Sequence, residues 1–332
     1  MRDRFGREVG DLRISLTQRC NLRCVFCHME GQPVATEELS PAEVEAIVRA
    51  AVRVGIDRVK LTGGEPTLRS DLAEVVGRIA PLVHEVSMTT NGILLERLAP
   101  SLRAAGLARV NVSLPSLDAK TYQELTGVDG MEATVRGIRA AVRAGLGPVK
   151  LNVVALEGET DTPQSVDRLI QFAQEVGAWV QVIEFENVQG RVDPNVYRAL
   201  HSELGKLTRE AASRAFARST NRLHHRPRYT FQSNGRPVTV EVVQPVENPD
   251  FCMACGRLRV TSDGRLKGCL MTNEGLVDLR PILREGAAPD RLVAAFEQAI
   301  GRRRPFFTDA STPVPDARRW TGAVELPMVG DS

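Results

Sequence analysis

The sequence is short of net charge, of aromatic rings and of apolar runs. Its 332 residues carry 43 lysines and arginines against 41 acidic residues, a balance of +2, so no global field draws the chain to nucleic acid or an anionic membrane. Nowhere do about 18 uncharged apolar residues run together, which excludes a conventional membrane-spanning helix. The first residues, MRDRFGREVGDLRI, are charged where a signal peptide needs an apolar stretch, and a cytoplasmic location is the expectation. No Walker-type glycine-rich loop occurs, so any phosphate would be held by scattered side chains. The histidines at 28, 84, 201, 224 and 225 form no triad or ligand pattern. Only six cysteines are present, and in a reducing compartment they read as metal ligands rather than disulfides.

What is present is an ordinary globular composition, 42% hydrophobic and 25% charged, in a chain long enough for about two units. Runs rich in Val, Ile, Leu and Thr predict strands at 12–17, 58–62, 85–89, 109–114, 149–156 and 179–185. Helical spacing lies between them, around 72–79, 95–105, 133–144 and 165–176. The clearest helix starts at Ser40, an N-cap followed by Pro41, with Glu43 closing a capping box, and should stop before Gly55. Six strand–helix alternations imply an α/β fold with a parallel sheet and right-handed crossovers. Six units are two short of a closed eightfold barrel, so a partial barrel and a doubly wound sheet both remain open. After Gln189 the alternation fails, which places a first domain at 1–190 and a smaller α+β domain at 191–332, ending in a proline-bearing extended tail.

Cys20, Cys24 and Cys27 have the spacing C-x3-C-x2-C directly after the first strand. One short loop of thiolates can reach different irons of an iron–sulfur cube, and three ligands leave one iron open. A zinc site would want a fourth ligand, and His28 is badly placed to share a metal with Cys27. The second trio, Cys252, Cys255 and Cys269, is spaced C-x2-C-x13-C; a zinc knuckle completed by His224 or His225 is as reasonable there as a second cube.

Cys20 to Cys27 with Phe26 before the third cysteine, together with Gly63-Gly64-Glu65-Pro66 at the end of the second strand, resembles the radical S-adenosylmethionine superfamily. Cys252-Met-Ala-Cys255-Gly-Arg257-Leu-Arg259 and Cys269 resemble the auxiliary-cluster segment of the GTP 3′,8-cyclase family, which opens molybdenum cofactor biosynthesis. Similar stretches start at Asp3, Leu12, Lys60, Met88, Asn111 and Val149 and span nearly the whole chain. The resemblance implies a partial (β/α)6 TIM-type barrel, two [4Fe-4S] clusters and S-adenosylmethionine. It implies a lyase in which an adenosyl radical removes the 3′ hydrogen of GTP and the ribose carbon attacks C8 of guanine. It further implies that the base meets the open iron of the second cluster, that the enzyme forms a homodimer, and that its product passes to cyclic pyranopterin monophosphate synthase.

By the same resemblance, Phe26, Gly63, Gly64, Glu65, Thr89, Asn91 and Ser113 attend the adenosyl cofactor. Two glycines let a ligand approach the backbone at a strand's C-terminal end. A triphosphate needs several cations, and Arg13, Arg58, Lys60, Lys150, Arg257 and Arg259 are the candidates. Arg58 and Lys60 alternate along one strand and so share a face. The arginines of 209–228 and 302–304 read instead as a solvated face. Three departures from the family stand out: Gly330 replaces a terminal double glycine, 183–190 follows the pattern loosely, and Pro115 sits where a polar residue is usual. They leave room for a diverged radical enzyme acting on another nucleotide or a peptide, and for a non-catalytic metal-binding module.

Overall fold

The computed structural model describes residues 1–313, except 36, 203, 222, 234–235 and 287. The expected tail beyond 313 and Gly330 lie outside the described residues. The first half follows the alternation: β1 (Asp11–Ser15), α1 (Pro41–Arg53), β2 (Arg58–Thr62), α2 (Leu72–Ile79), β3 (Glu85–Thr90), α3 (Leu95–Ala104), β4 (Arg109–Ser113), α4 (Ala119–Thr126), α5 (Met131–Arg143), β5 (Lys150–Val154), α6 (Pro163–Val176) and β6 (Trp179–Ile183). The second half adds α7 (Pro194–Leu200), α8 (Leu204–Arg214), β7 (Ala217–Thr220), β8 (Pro227–Ser233), β9 (Arg236–Val243), α9 (Pro249–Met253), β10 (Arg257–Val260), β11 (Arg265–Lys267), β12 (Val277–Asp278), α10 (Arg280–Arg284) and α11 (Pro289–Arg302).

These strands form one open sheet in the order β12-β11-β10-β1-β2-β3-β4-β5-β6-β9-β8-β7. From β1 to β6 the pairing is parallel and sequential. The loss of alternation after Gln189 does not end the sheet, because β9 joins β6 and β10 joins β1, both in parallel. The second half of the chain thus flanks the six-stranded unit on both sides, and antiparallel strands close each outer margin.

Local chemistry explains the elements. Ser40 Oγ accepts from Glu43 N while the Glu43 carboxylate accepts from Ser40 N, and Pro41 occupies the first turn of α1. Its buried stripe, Val44, Ile47, Val48 and Ala51, has the i, i+3, i+4, i+7 spacing and lies in the core between helices and sheet. Truncating such a buried side chain as Ile47 to Ala costs about 2–5 kcal/mol. On β2, Val59 and Leu61 are buried in that core, so Arg58 and Lys60 face the other way, into the concave side. Helix α11 covers α1, β11 and β12 with Leu292, Ala295, Phe296 and Ile300. Among the described residues, no helix is long and apolar enough to cross a membrane.

Candidate functional site

Register places the concave-side residues in rows. Arg259, Arg13, Lys60 and Ser87 lie abreast on β10, β1, β2 and β3, and one step back stand Arg257, Asp11, Arg58 and Glu85. Across the sheet, Asn111, Lys150 and Trp179 form a row on β4, β5 and β6, and Gln181 pairs in register with Glu241 of β9. A barrel interior is normally filled by branched aliphatics; here the rows are polar and enclose a cavity of about 1570 Å³. Both cysteine trios, the seven residues assigned to the adenosyl cofactor and the six candidate phosphate cations all border this one cavity.

The first trio follows β1. Gly64 N donates to Thr17 O and Glu65 N to Arg19 O, both at 2.7 Å, so the loop that begins the trio runs beside the end of β2. A Cβ on Gly64 would come within 2.3 Å of Arg19 O, and one on Gly63 within 2.5 Å of Thr17 O. The glycines were expected to admit a ligand; what they admit first is the chain's own backbone. Glu65 is buried and accepts from Thr67 N, Thr67 Oγ1, Thr90 Oγ1 and Asn91 N, which ties the end of β2 to that of β3. Asn91 Nδ2 in turn donates to Asn21 Oδ1 inside the cysteine loop at 2.7 Å. Phe26 packs with Leu125, Leu156, Phe185 and Val192, anchoring the loop's far end.

The donor set suits an iron–sulfur group. Burial and the neighbouring Cys27 and Cys20 push the Cys24 thiol up to about 12, the behaviour of gathered thiols with no cation among them. At the second trio, burial pushes the Cys255 thiol up, but Arg303, Arg257 and Arg7 outweigh it and hold it below the usual range. Among the described residues no three His, Cys, Asp or Glu side chains converge tightly enough to hold a single metal ion. Each trio offers three thiols and borders the same cavity, and a cube takes each thiolate on a different iron.

Cations dominate the rest of the lumen. Glu30 bridges Arg13 at 3.1 Å and Arg259 at 2.6 Å. Burial alone would raise its carboxyl, but Arg13, Arg259, His28 and Arg257 bring it down to about 2. Burial and repulsion by Arg109, Arg13, Arg257 and Lys150 push the Lys60 ammonium well below its usual range, and its Nζ donates to Asn111 Oδ1 at 3.0 Å. Burial lowers Lys150 to about 8 despite Glu241 at 3.2 Å. Arg257 is disfavoured as a cation by burial and by Arg13, Arg259 and Arg226, which Asp11 only partly offsets. A guanidinium stays protonated in any protein, so this arrangement favours whatever anion enters.

Two assignments of the arginines need correcting. Arg226 and Arg228 do not belong to a solvated face: they pair with the fully buried Glu241 at 3.2 and 2.7 Å and border the cavity. Arg303 is not solvated either, its side chain being fully buried against Asp3 at 2.9 Å. Also unforeseen were Glu30, Glu241, Trp179, whose ring lies 5.2 Å from both Lys150 Nζ and the Arg228 guanidinium, and Glu186, which burial raises to about 7. Pro115 borders the cavity as well.

The chain matches the radical SAM superfamily over residues 14–173 and the Molybdenum Cofactor Synthesis C family over residues 178–308. A "Probable GTP 3′,8-cyclase" of Thermococcus kodakarensis is 45% identical over 306 residues, which are 92% of this chain and 99% of the relative. The chain belongs to the GTP 3′,8-cyclase family. A family member of the same description from Methanosarcina acetivorans is 41% identical over 327 residues, 96% of this chain and 93% of that one. Among solved structures, Streptococcus suis SuiB bound to S-adenosylmethionine aligns with TM-score 0.61 at 18% identity, covering 87% of this chain and 68% of that one. Methylornithine synthase aligns with TM-score 0.51 at 16% identity over 88% of this chain and 86% of that one. At such identities these two likenesses concern the fold, and they agree with a partial barrel of the radical SAM type.

Proposed function

We propose that this chain is a radical S-adenosylmethionine lyase that joins C3′ of GTP to C8 of its guanine, the first step of molybdenum cofactor biosynthesis. The observation that carries the reading is that both cysteine trios and the rows of cations open onto one cavity. Cys20, Cys24 and Cys27 would hold a [4Fe-4S] cluster with S-adenosylmethionine, and Cys252, Cys255 and Cys269 a second cluster. When bound, the first cluster and its ligand supply the 5′-deoxyadenosyl radical that the family's chemistry requires.

The protein's own share is positioning. Arg257, Arg13, Lys60 and Arg259 present a field for a triphosphate on the β10-β1-β2 side. Arg–phosphate contacts of this kind are worth about 1.5–3 kcal/mol each. Glu30 occupies the same arginines when no phosphate does, which keeps the guanidiniums aligned. The polar lumen, flanked by β9 and β10, brings the proposed substrate and radical source into one cavity.

The test is anaerobic turnover of the reconstituted, reduced protein with S-adenosylmethionine and GTP deuterated at C3′, followed by mass analysis of the 5′-deoxyadenosine. Deuterium in that product is the expected result. Unlabelled 5′-deoxyadenosine formed regardless of GTP would overturn the substrate assignment and leave a radical enzyme with another substrate.

A further inference from the structure

Asp3 and Arg303, 300 positions apart in sequence, form a buried pair that the substrate reading does not use. We propose that Arg303, held by Asp3, is a positioning residue of the second cysteine trio, fixing its geometry and raising the reduction potential of the cluster it holds. The proposal rests on the reading of that trio as a cluster site.

The contacts reach every arm of the trio. Arg303 Nη2 donates to Cys255 O at 2.7 Å and approaches Cys255 Sγ at 3.7 Å. Its Nε reaches Gly268 O, next to Cys269, at 3.5 Å, and a Cβ on Gly268 would press to 3.1 Å from Arg303 Cγ. Its Nη1 donates to Asp3 Oδ2 at 2.9 Å. The same Asp3 oxygen accepts from Arg7 Nε at 2.8 Å, and Arg7 Nη1 donates to Cys252 O at 2.9 Å. Asp3 Oδ1 is filled by the backbone N–H groups of Phe5 and Arg7, each at 3.0 Å, so the carboxylate cannot swing away. One carboxylate therefore aims two guanidiniums at the segments that carry Cys252, Cys255 and Cys269.

Charge counting gives the network its direction. Asp3 offsets one of the two guanidiniums and leaves one buried positive charge, beside which lies the Cys255 sulfur, 3.7 Å from Arg303 Nη2. A desolvated cation without compensation is costly, so the network gains most when the trio carries its anionic ligand charge. An N–H donor and a cation beside a cluster sulfur favour the more negative, reduced state and so raise the potential. Lysine keeps the charge but cannot span Asp3, the Cys255 carbonyl and its sulfur with one planar fork.

The experiment compares wild type, Arg303→Lys and Arg303→Gln as full-length protein reconstituted anaerobically. Iron and sulfide are counted per chain, and midpoints are read by electron paramagnetic resonance during a redox titration. The signal that added S-adenosylmethionine perturbs reports the first cluster and serves as internal control; the unperturbed signal reports the second. Arg303→Lys is expected to keep about eight irons, to lower the second midpoint and to leave the first in place. Arg303→Gln is expected to lower it further or to lose the second cluster's irons alone. Wild-type midpoints with full iron in both variants would overturn the proposal, and so would parallel movement of both midpoints, the mark of a merely structural disturbance. A wild-type protein with iron for one cluster only would instead defeat the reading of the second trio.

Discussion

Replacing Glu241 by Gln removes the carboxylate that faces Lys150, Arg226 and Arg228 while preserving side-chain volume. In the native chain, burial pushes this carboxyl up, but the three cations outweigh it and hold it at about 2 instead of the ordinary 4.5. By linkage, that lowering corresponds to about 3 kcal/mol of native stability at neutral pH. The figure agrees with the cost of removing one partner from a buried ion pair, about 3–5 kcal/mol. Because the folded value lies below the ordinary one, the stabilisation is complete above pH 4.5 and is lost as the pH falls from there through about 2. Denaturant midpoints of wild type and Glu241→Gln should therefore differ most at pH 7 and converge on acidification. Inorganic tripolyphosphate should stabilise the variant more than the wild type, since it meets three unbalanced cations. A variant as stable as wild type at pH 7, or a gap that ignores pH, would refute this account of the lumen's charge balance.

Three further outcomes can be measured directly. Cys269→Ala should leave uncoupled 5′-deoxyadenosine formation intact and abolish the cyclised nucleotide, read by chromatography of one reaction mixture; Cys24→Ala should abolish both. Gly64→Ala forces a methyl to 2.3 Å from Arg19 O, so the cysteine loop must shift, with a stability loss of about 1–3 kcal/mol and lower iron occupancy at the first trio. Lys150 loses its proton as the pH rises through about 8. GTP affinity by calorimetry should accordingly fall between pH 7 and 9, whereas Lys150→Met should bind more weakly with no step in that window.

The parts of the fold that depend on neighbouring residues were legible in the sequence. The strand at Arg58–Thr62 and the helix at Leu72–Ile79 have the expected bounds, and the Ser40–Glu43 capping box is formed. Helix α4 was not expected, because AKTYQELT offers only Tyr122, Leu125 and Thr126 to the interior and its apolar stripe is too thin to register. The charges failed for a different reason. Arg226 and Arg303 stand in stretches that look solvated, and their partners Glu241 and Asp3 are reached only through the tertiary fold. The cysteine spacings, being local, drew attention to residues that border the cavity; the carboxylates that balance its cations are dispersed over the chain and leave no spacing to find. Glu30, three residues after Cys27, is the exception that proximity to the trio could have flagged.

The sheet's strand order has a consequence for biosynthesis. While β10 is still untranslated, β1 lacks a neighbour on one side, and β6 waits likewise for β9. Such non-local parallel pairing is slow to form and leaves bare edges during synthesis. The loop of Cys20 to Cys27 emerges early from the ribosome, whereas the second trio stays unfinished until Cys269 has emerged and Arg303 can reach Asp3. On the two-cluster reading proposed above, the cysteines of the first centre are all present on a short nascent chain, whereas those of the second, with Arg303, come only after β10.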